Sequence, residues 1–106
     1  NDPPVADFND PKLVKVVELD PICRQQQVND GCFATLDDVP KYAWSLTVPA
    51  LIRPKVVFCM VPAPTKANAV YSTINWEISE KCPATILRNH PNATLYLDPD
   101  SASKIL

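Results

Sequence analysis

Glycine is almost absent from this sequence of 106 residues, in which Gly31 is the single example. Twelve prolines sharpen the contrast, since glycine is normally the commoner of the two residues. Loops that bind phosphate through backbone amides need glycine, because only a chain without side chains can approach the ligand closely. The sequence therefore lacks the residues of a glycine-rich phosphate loop.

Excess positive charge and long apolar runs are also missing. Ten lysines and arginines stand against twelve aspartates and glutamates, a formal net charge of −2 with dispersed signs. Such a chain has no basic field to attract nucleic acid or an anionic membrane. No apolar run approaches the roughly 20 residues that span a bilayer. We therefore expect neither nucleic acid nor membrane as a partner.

The cysteines form no Cys-x-x-Cys pair, so a zinc knuckle or a thioredoxin-like motif is not expected. They are Cys23, Cys32, Cys59 and Cys82. Disulfide scaffolds are denser in cysteine and shorter than this chain. Cys59 lies inside an apolar run, where a thiol behaves as a small hydrophobic group. We predict four reduced cysteines and a cytoplasmic protein.

Apolar patterning predicts strands that alternate with short helices. The predicted strands lie in "KLVKVVELD" (12–20), around "YAWSLTV" (42–48), in Val56–Val61 and in Ala93–Asp98. The order strand, helix, strand, helix, strand, helix, strand is typical of a largely parallel α/β sheet. The continuous apolar run Val56–Val61 further predicts a strand that is covered on both faces.

Prolines and capping residues predict where the helices begin. Pro21 suits a first helical turn, with Asp20 before it as the cap. Pro49 can start a second helix, which Pro54 ends. Thr65 is predicted to cap a third helix, which follows two prolines and has its apolar face on one side. The stretch "CPATILRNHP" (82–91) predicts a fourth short helix.

Few side chains fit a catalytic constellation. The single histidine, His90, is interpreted as a capping or surface imidazole, because no motif around it supports a general base. The polar run Arg24–Gln27 is either a solvated helix face or a cluster that faces a ligand, and the sequence leaves both open. Lys66 follows the carboxyl end of a strand, where open α/β sheets bind their ligands, and its charge suits a phosphate.

Four stretches together carry a family resemblance: "NDPP", "LDDVPKYAWSLTVPAL", "VPAPTKANAV" and "CPATILRNHPNATLYLDPDSA". In this order, along nearly the whole chain, they resemble the glucosamine-6-phosphate deaminase (glucosamine-6-phosphate isomerase) family. The resemblance implies an α/β fold, namely part of a three-layer, largely parallel sheet with flanking helices of the sugar-phosphate isomerase/deaminase type. It also implies a metal-free, cofactor-free reaction by general acids and bases, in which a hexosamine phosphate gives a ketose phosphate and ammonia.

The resemblance further implies that residues 1–106 form the C-terminal portion of a single deaminase-like domain. The family has a segment Gly-His-Ile-Ala-Phe-Asn-(Glu/Asp)-Pro, and this chain begins at its Asn-Asp-Pro. We therefore expect the missing N-terminal portion of the same domain as a partner, and we expect the 106-residue chain alone to be inactive. Oligomers are common in the family, so a homo-oligomer is also an open expectation.

Three residues inherit roles from the resemblance. Asp2 matches a carboxylate that supports the ring-opening histidine, although the family often has a longer glutamate there. Lys66 matches the lysine that contacts the substrate phosphate. A family arginine has no match, because Gly31 stands at its place, and Arg24 is the conjectured substitute from the preceding helix.

Two other functions remain open at this point. One is a non-catalytic module, a sugar-phosphate-binding or scaffold protein that keeps Lys66 and has lost the chemistry. The other is a relative of 6-phosphogluconolactonase, which the deaminase-like ending "CPATILRNHPNATLYLD" disfavours. The sequence does not distinguish glucosamine from galactosamine as the sugar.

Overall fold

The computed structural model describes residues 2–106, so Asn1, the first residue of the "NDPP" stretch, lies outside the described residues. Within this range, strands and helices alternate as predicted, and three short 3₁₀ helices join them. The elements are β1 (Val14–Glu18), α1 (Pro21–Asn29), the 3₁₀ helix Leu36–Asp38, β2 (Tyr42–Leu46), α2 (Val48–Ile52), β3 (Val57–Val61), the 3₁₀ helix Pro64–Lys66, α3 (Ala67–Asn75), the 3₁₀ helix Pro83–Asn89 and β4 (Ala93–Leu97).

Strands β1 and β2 form an antiparallel pair. Val16 lies opposite Trp44, and Val14 lies opposite Leu46. On the inner face Val17 is buried, whereas the large apolar side chains of β2 point outward, with Trp44 76% exposed. The period-two pattern of "YAWSLTV" therefore indicates a strand, as predicted. The face of β2 that has the large apolar side chains is exposed within residues 2–106.

Strands β3 and β4 form a parallel pair, with a register that runs from Val57 opposite Ala93 to Val61 opposite Leu97. Helix α3 and the 3₁₀ helix Pro83–Asn89 pack together on one face of this pair, where Val70 is buried. On the other face Met60 is 71% exposed. The expectation of a strand covered on both faces is thus not met within residues 2–106, because α3 and the 3₁₀ helix Pro83–Asn89 cover one face and leave Phe58 and Met60 exposed on the other.

The α/β class is confirmed, with one parallel and one antiparallel strand pair and helices between them. The longest helices in the described part of the chain have nine residues, and none of these helices is long and apolar enough to cross a membrane. The four cysteines are free thiols, and partial burial raises the pKa of the Cys59 thiol.

Most helix starts agree with their predicted signals. Asp20 caps α1 by accepting a hydrogen bond of 2.7 Å from the Cys23 N–H, and Pro21 is the first residue of the helix. Thr47, which is fully buried, caps α2 by accepting from the Ala50 N–H. The predicted cap at Thr65 is wrong, because a 3₁₀ turn runs directly into α3 and places Thr65 inside the helical run.

Candidate functional site

An open groove of about 620 Å³ lies between the N-terminal segment, the first turns of α1 and the start of α3. Its lining includes Asp2, Asp20, Gln26 and Lys66. The groove thus contains both residues to which the family resemblance gave the clearest roles, Asp2 and Lys66. It lies beside the carboxyl end of β3, which is the side of a parallel sheet where open α/β proteins bind ligands.

The N-terminal segment places Asp2 at the groove. The Asp2 carbonyl accepts hydrogen bonds from the N–H groups of Val5 (2.8 Å) and Ala6 (3.2 Å), which fold residues 2–6 into a turn. Lys15 of β1 holds this turn against the strand, because its Nζ donates to the Val5 carbonyl at 3.0 Å. The same Nζ pairs with Asp10 at 2.6 Å, and this ammonium, together with the Lys12 N–H, lowers the pKa of the Asp10 carboxyl.

Lys66 lies where β3 gives way to α3. It is the last residue of the 3₁₀ turn and the N-cap residue of α3, which has no side-chain cap. Within residues 2–106 its Nζ has no hydrogen-bond or ion-pair partner, and its side chain is exposed. An unpaired ammonium beside a helix N-terminus is well suited to bind an anion, since both the charge and the helix dipole favour it.

The turn before Lys66 is tied to the neighbouring strand. Ala63 has φ 82° and ψ 152°, a conformation that is costly for any residue with a side chain. Its N–H donates to Oδ2 of Asp98 at 2.9 Å, and Oδ1 of Asp98 accepts from the Ser101 N–H at 2.7 Å. These hydrogen bonds, that from Ser101 foremost, lower the pKa of the Asp98 carboxyl.

Arg24 is held on the opposite side of α1 from the groove residues. Its Nη2 donates to the carbonyls of Leu36 (2.9 Å) and Val39 (3.1 Å), and so connects α1 to the segment before β2. The polar run Arg24–Gln27 is therefore divided, since Gln26 lines the groove while Gln25 donates to Asn29 along the helix. The structure brings Asp2 and Lys66 together and keeps Arg24 apart from both.

His90 lies at the amino end of the parallel strand pair. One ring nitrogen, Nδ1, accepts from the Asn92 N–H at 3.0 Å, and Nε2 lies 2.6 Å from the Pro54 carbonyl. Since a carbonyl only accepts, these partners assign the proton of the neutral ring to Nε2. His90 thus lies at a helix end, as predicted, since it is the C-cap residue of the 3₁₀ helix Pro83–Asn89, but its ring binds backbone outside that helix.

Two residues with clear structural roles escaped the sequence analysis. Arg88 donates through Nη1 to the carbonyls of Thr73 (3.3 Å), Ile74 (3.1 Å) and Trp76, and so caps the C-terminus of α3. A cation is favoured there by the helix dipole. Asp98 is the second. No local signal marks Arg88, because its partners lie more than ten positions away along the chain. For Asp98 the bond to Ser101 is local, but the bond to Ala63 spans 35 positions and leaves no local signal.

The fold and the groove define an α/β protein with an open groove beside the carboxyl end of one strand of a parallel pair. Comparison with known proteins shows which proteins of this class the chain is similar to. The chain is 34% identical to the glucosamine-6-phosphate deaminase of Bacillus cytotoxicus, covering 91% of the chain and 38% of the relative. It is 35% identical to that of Bacillus cereus, covering 94% and 37%, and 32% identical to that of Listeria welshimeri, covering 74% and 33%. No protein-family model matches the chain.

Solved structures give the same result. A monomeric glucosamine-6-phosphate deaminase of the NagB superfamily superimposes with a TM-score of 0.86 at 29% identity, over 95% of this chain and 40% of that one. The resemblance to glucosamine-6-phosphate deaminases, which are enzymes, is thereby confirmed in sequence and in fold. The chain spans less than two fifths of the length of the curated relatives it matches.

Proposed function

We propose that this chain is the C-terminal portion of a glucosamine-6-phosphate deaminase domain. The reaction isomerises a hexosamine phosphate to a ketose phosphate with loss of ammonia, through proton transfers by positioned acids and bases. Similarity to deaminases along nearly the whole chain supports this family, and the short share of each relative that is matched supports a portion rather than a whole domain.

The observation that carries the proposal is the meeting of Asp2 and Lys66 in one groove. Asp2 lies near the N-terminus and Lys66 directly before α3, so only the fold brings these two residues to the same groove. Lys66 offers a positive charge beside the α3 N-terminus, which suits the phosphate of the substrate. Asp2 offers a negative charge elsewhere in the groove, where it would repel phosphate but could orient a cationic or proton-donating group.

Each groove residue then has a role in the reaction. The Lys66 ammonium holds the phosphate and so fixes the position of the sugar. The Asp2 carboxylate orients a ring-opening histidine supplied by the rest of the domain, since His90 is bonded to backbone at the other end of the strands. Gln26, which also lines the groove, binds a sugar hydroxyl.

Arg24 stays a weaker member of the proposed site. Its Nη2 donates to the Leu36 and Val39 carbonyls, so a contact with phosphate would require the guanidinium to leave them. Losing two such hydrogen bonds to charged donors costs about 3 to 6 kcal/mol before any is regained from the ligand. In the proposed enzyme Arg24 therefore holds the segment before β2, and Lys66 is the main phosphate ligand.

Two bare apolar faces support a missing partner segment. On the β1–β2 pair the side chains of Val16 and Trp44 are exposed, and on the β3–β4 pair those of Phe58, Met60 and Tyr96 are exposed. Contiguous exposed apolar side chains of this kind mark surfaces that pack against other structure. We propose that the N-terminal portion of the same domain covers both faces and supplies the remaining catalytic groups.

The proposal is tested by substituting two lysines in the complete protein. Lys66→Ala should raise KM for glucosamine 6-phosphate by roughly 10- to 100-fold, because a charge-assisted hydrogen bond contributes about 1.5 to 3 kcal/mol. Lys55→Ala is the matched control. Lys55 precedes β3 and so lies at the opposite end of the strand, where no change in KM is expected. Equal KM values for Lys66→Ala and the unsubstituted protein would overturn the assigned role of Lys66.

The second candidate is a sugar-phosphate-binding module without turnover. It is favoured by one observation, that Lys66 lines the groove while the single histidine of residues 2–106 is engaged with backbone. The two functions differ in one measurement. Saturable heat on titration of the complete protein with glucosamine 6-phosphate, without any release of ammonia, would select the binding module.

A further inference from the structure

Ala63 holds a backbone conformation that glycine adopts easily and other residues avoid. Its φ of 82° with ψ of 152° lies outside the regions open to residues that carry a side chain. Such strain persists only where surrounding contacts impose it, and strained residues cluster at active sites and ligand-binding sites. Ala63 lies between the end of β3 and Lys66, so this turn decides where the Lys66 side chain begins.

The contact that imposes the conformation comes from the neighbouring strand. Oδ2 of Asp98, directly after β4, accepts the Ala63 N–H at 2.9 Å. Oδ1 accepts the Ser101 N–H at 2.7 Å, and Ser101, which is fully buried, donates its own hydroxyl to the Asp98 carbonyl at 3.3 Å. The carboxylate is therefore fixed on one side by its own chain reversal and holds Ala63 with its other oxygen.

From Ala63 the path to Lys66 is short and stiff. Pro64 fixes one backbone angle, and the Lys66 N–H donates back to the Ala63 carbonyl at 3.3 Å, which closes a 3₁₀ turn. Helix α3 then begins at Ala67. A rotation at Ala63 would consequently move the Lys66 side chain as part of a rigid unit, away from the groove that it lines.

We propose that Asp98 is a positioning residue, which holds the Ala63 turn and thereby keeps the Lys66 ammonium at the phosphate end of the groove. This inference rests on the proposed function, in which Lys66 binds the substrate phosphate. Asp98 itself touches no substrate in this scheme. Its ionised form is maintained by the same two amides, which lower the pKa of its carboxyl and so keep both oxygens available as acceptors.

A double-mutant cycle in the complete protein tests the inference. Asp98→Asn keeps the size of the side chain but replaces one acceptor oxygen with an NH₂ group, which cannot accept from an N–H. We expect KM for glucosamine 6-phosphate to rise at least fivefold in Asp98→Asn. We expect the Lys66→Ala/Asp98→Asn pair to have the KM of Lys66→Ala alone, because Asp98 acts only through the lysine.

Two further variants separate positioning from general stability. Ser101→Ala removes the buried hydroxyl but leaves the Asp98–Ala63 hydrogen bond, so it should lower the melting temperature without raising KM. Ala63→Gly placed in the Asp98→Asn background should bring the raised KM partly back towards that of the unsubstituted protein, since glycine adopts a positive φ without a hydrogen bond to hold it. If Asp98→Asn does not fold, Asp98→Glu, which keeps the charge but displaces the carboxylate, carries the same expectations.

The outcomes distinguish this inference from the function on which it rests. An unchanged KM in Lys66→Ala would remove the proposed role of Lys66 and the inference with it. A raised KM in Lys66→Ala would keep that role. The positioning role of Asp98 is then overturned by an unchanged KM in the Asp98 variant, or by KM effects of the Lys66 and Asp98 substitutions that multiply in the pair.

Discussion

The two ends of the parallel strand pair β3–β4 use their polar side chains differently. At the amino end, both ring nitrogens of His90 are bonded to backbone, one to Pro54 and one to Asn92. At the carboxyl end, Lys66 is without a partner among residues 2–106, and the turn before it contains the strained Ala63. The histidine at the amino end is satisfied by backbone, whereas the carboxyl end combines an unpaired ammonium with a costly backbone conformation.

This difference teaches where to look for function in such a fold. A histidine is the side chain most often used as an acid or base near neutral pH, yet here its position joins two loops and fixes its tautomer. The lysine, an ordinary surface residue by its sequence, gains interest because the strands end beside it. A strained backbone beside an unpaired lysine, at the carboxyl end of parallel strands, is where we look for a ligand site.

The largest expected effect concerns activity of the 106-residue chain alone. The carboxyl end of the strands offers an ammonium and a carboxylate but no unengaged histidine within residues 2–106. A positioned acid or base typically contributes about 10²- to 10⁴-fold to a rate. We therefore expect no ammonia release above background from the purified chain with glucosamine 6-phosphate. Turnover comparable to that of the complete protein would show that the chain holds the whole catalytic machinery.

The next effect in size concerns stability at the amino end. His90→Ala removes two hydrogen bonds to backbone, which together should lower the free energy of unfolding by about 1 to 3 kcal/mol. Urea unfolding of the complete protein measures this change, with Asn89→Ala as the neighbouring control. The KM for glucosamine 6-phosphate should stay constant, because the substitution lies at the end away from the groove. A large rise in KM with unchanged stability would reverse the comparison between the two ends.

The smallest expected effect is a pH dependence of stability that comes from Asp98. The amides of Ser101 and Ala63 lower the pKa of its carboxyl in the folded state. The stabilisation is therefore complete above the ordinary aspartate pKa of about 3.9 and is lost as the pH falls through the lowered value. The stability difference between the unsubstituted protein and Asp98→Asn should shrink below about pH 4.

Urea unfolding at a series of pH values measures this difference. Asp37→Asn is the control for the loss of one carboxylate, since Asp37 is exposed in the 3₁₀ helix before β2 and lies far along the chain from Asp98. A gap between Asp98→Asn and the unsubstituted protein that is constant from pH 3 to pH 7 would contradict an ionised, amide-bonded Asp98.

Local order in this protein follows directly from its sequence. Apolar runs predicted the four strands, and Asp20 with Pro21 predicted the start of α1, because a cap and a fixed φ act over a few residues. The failed prediction at Thr65 has a local cause too. The tight turn at Ala63 and Pro64 begins the helical run earlier than a threonine cap would allow.

Long-range arrangement was decided by the tertiary structure alone. The direction in which strands pair, the bare faces beside Trp44 and Met60, and the groove that joins Asp2 to Lys66 depend on contacts between distant segments. Sequence spacing does not predict such contacts. The sequence around Arg24 or Asp98 is the same whether the side chain faces solvent or bonds a remote carbonyl or amide. The sequence by itself determined the elements and the family resemblance, and packing between the elements determined which polar groups remain available to a ligand.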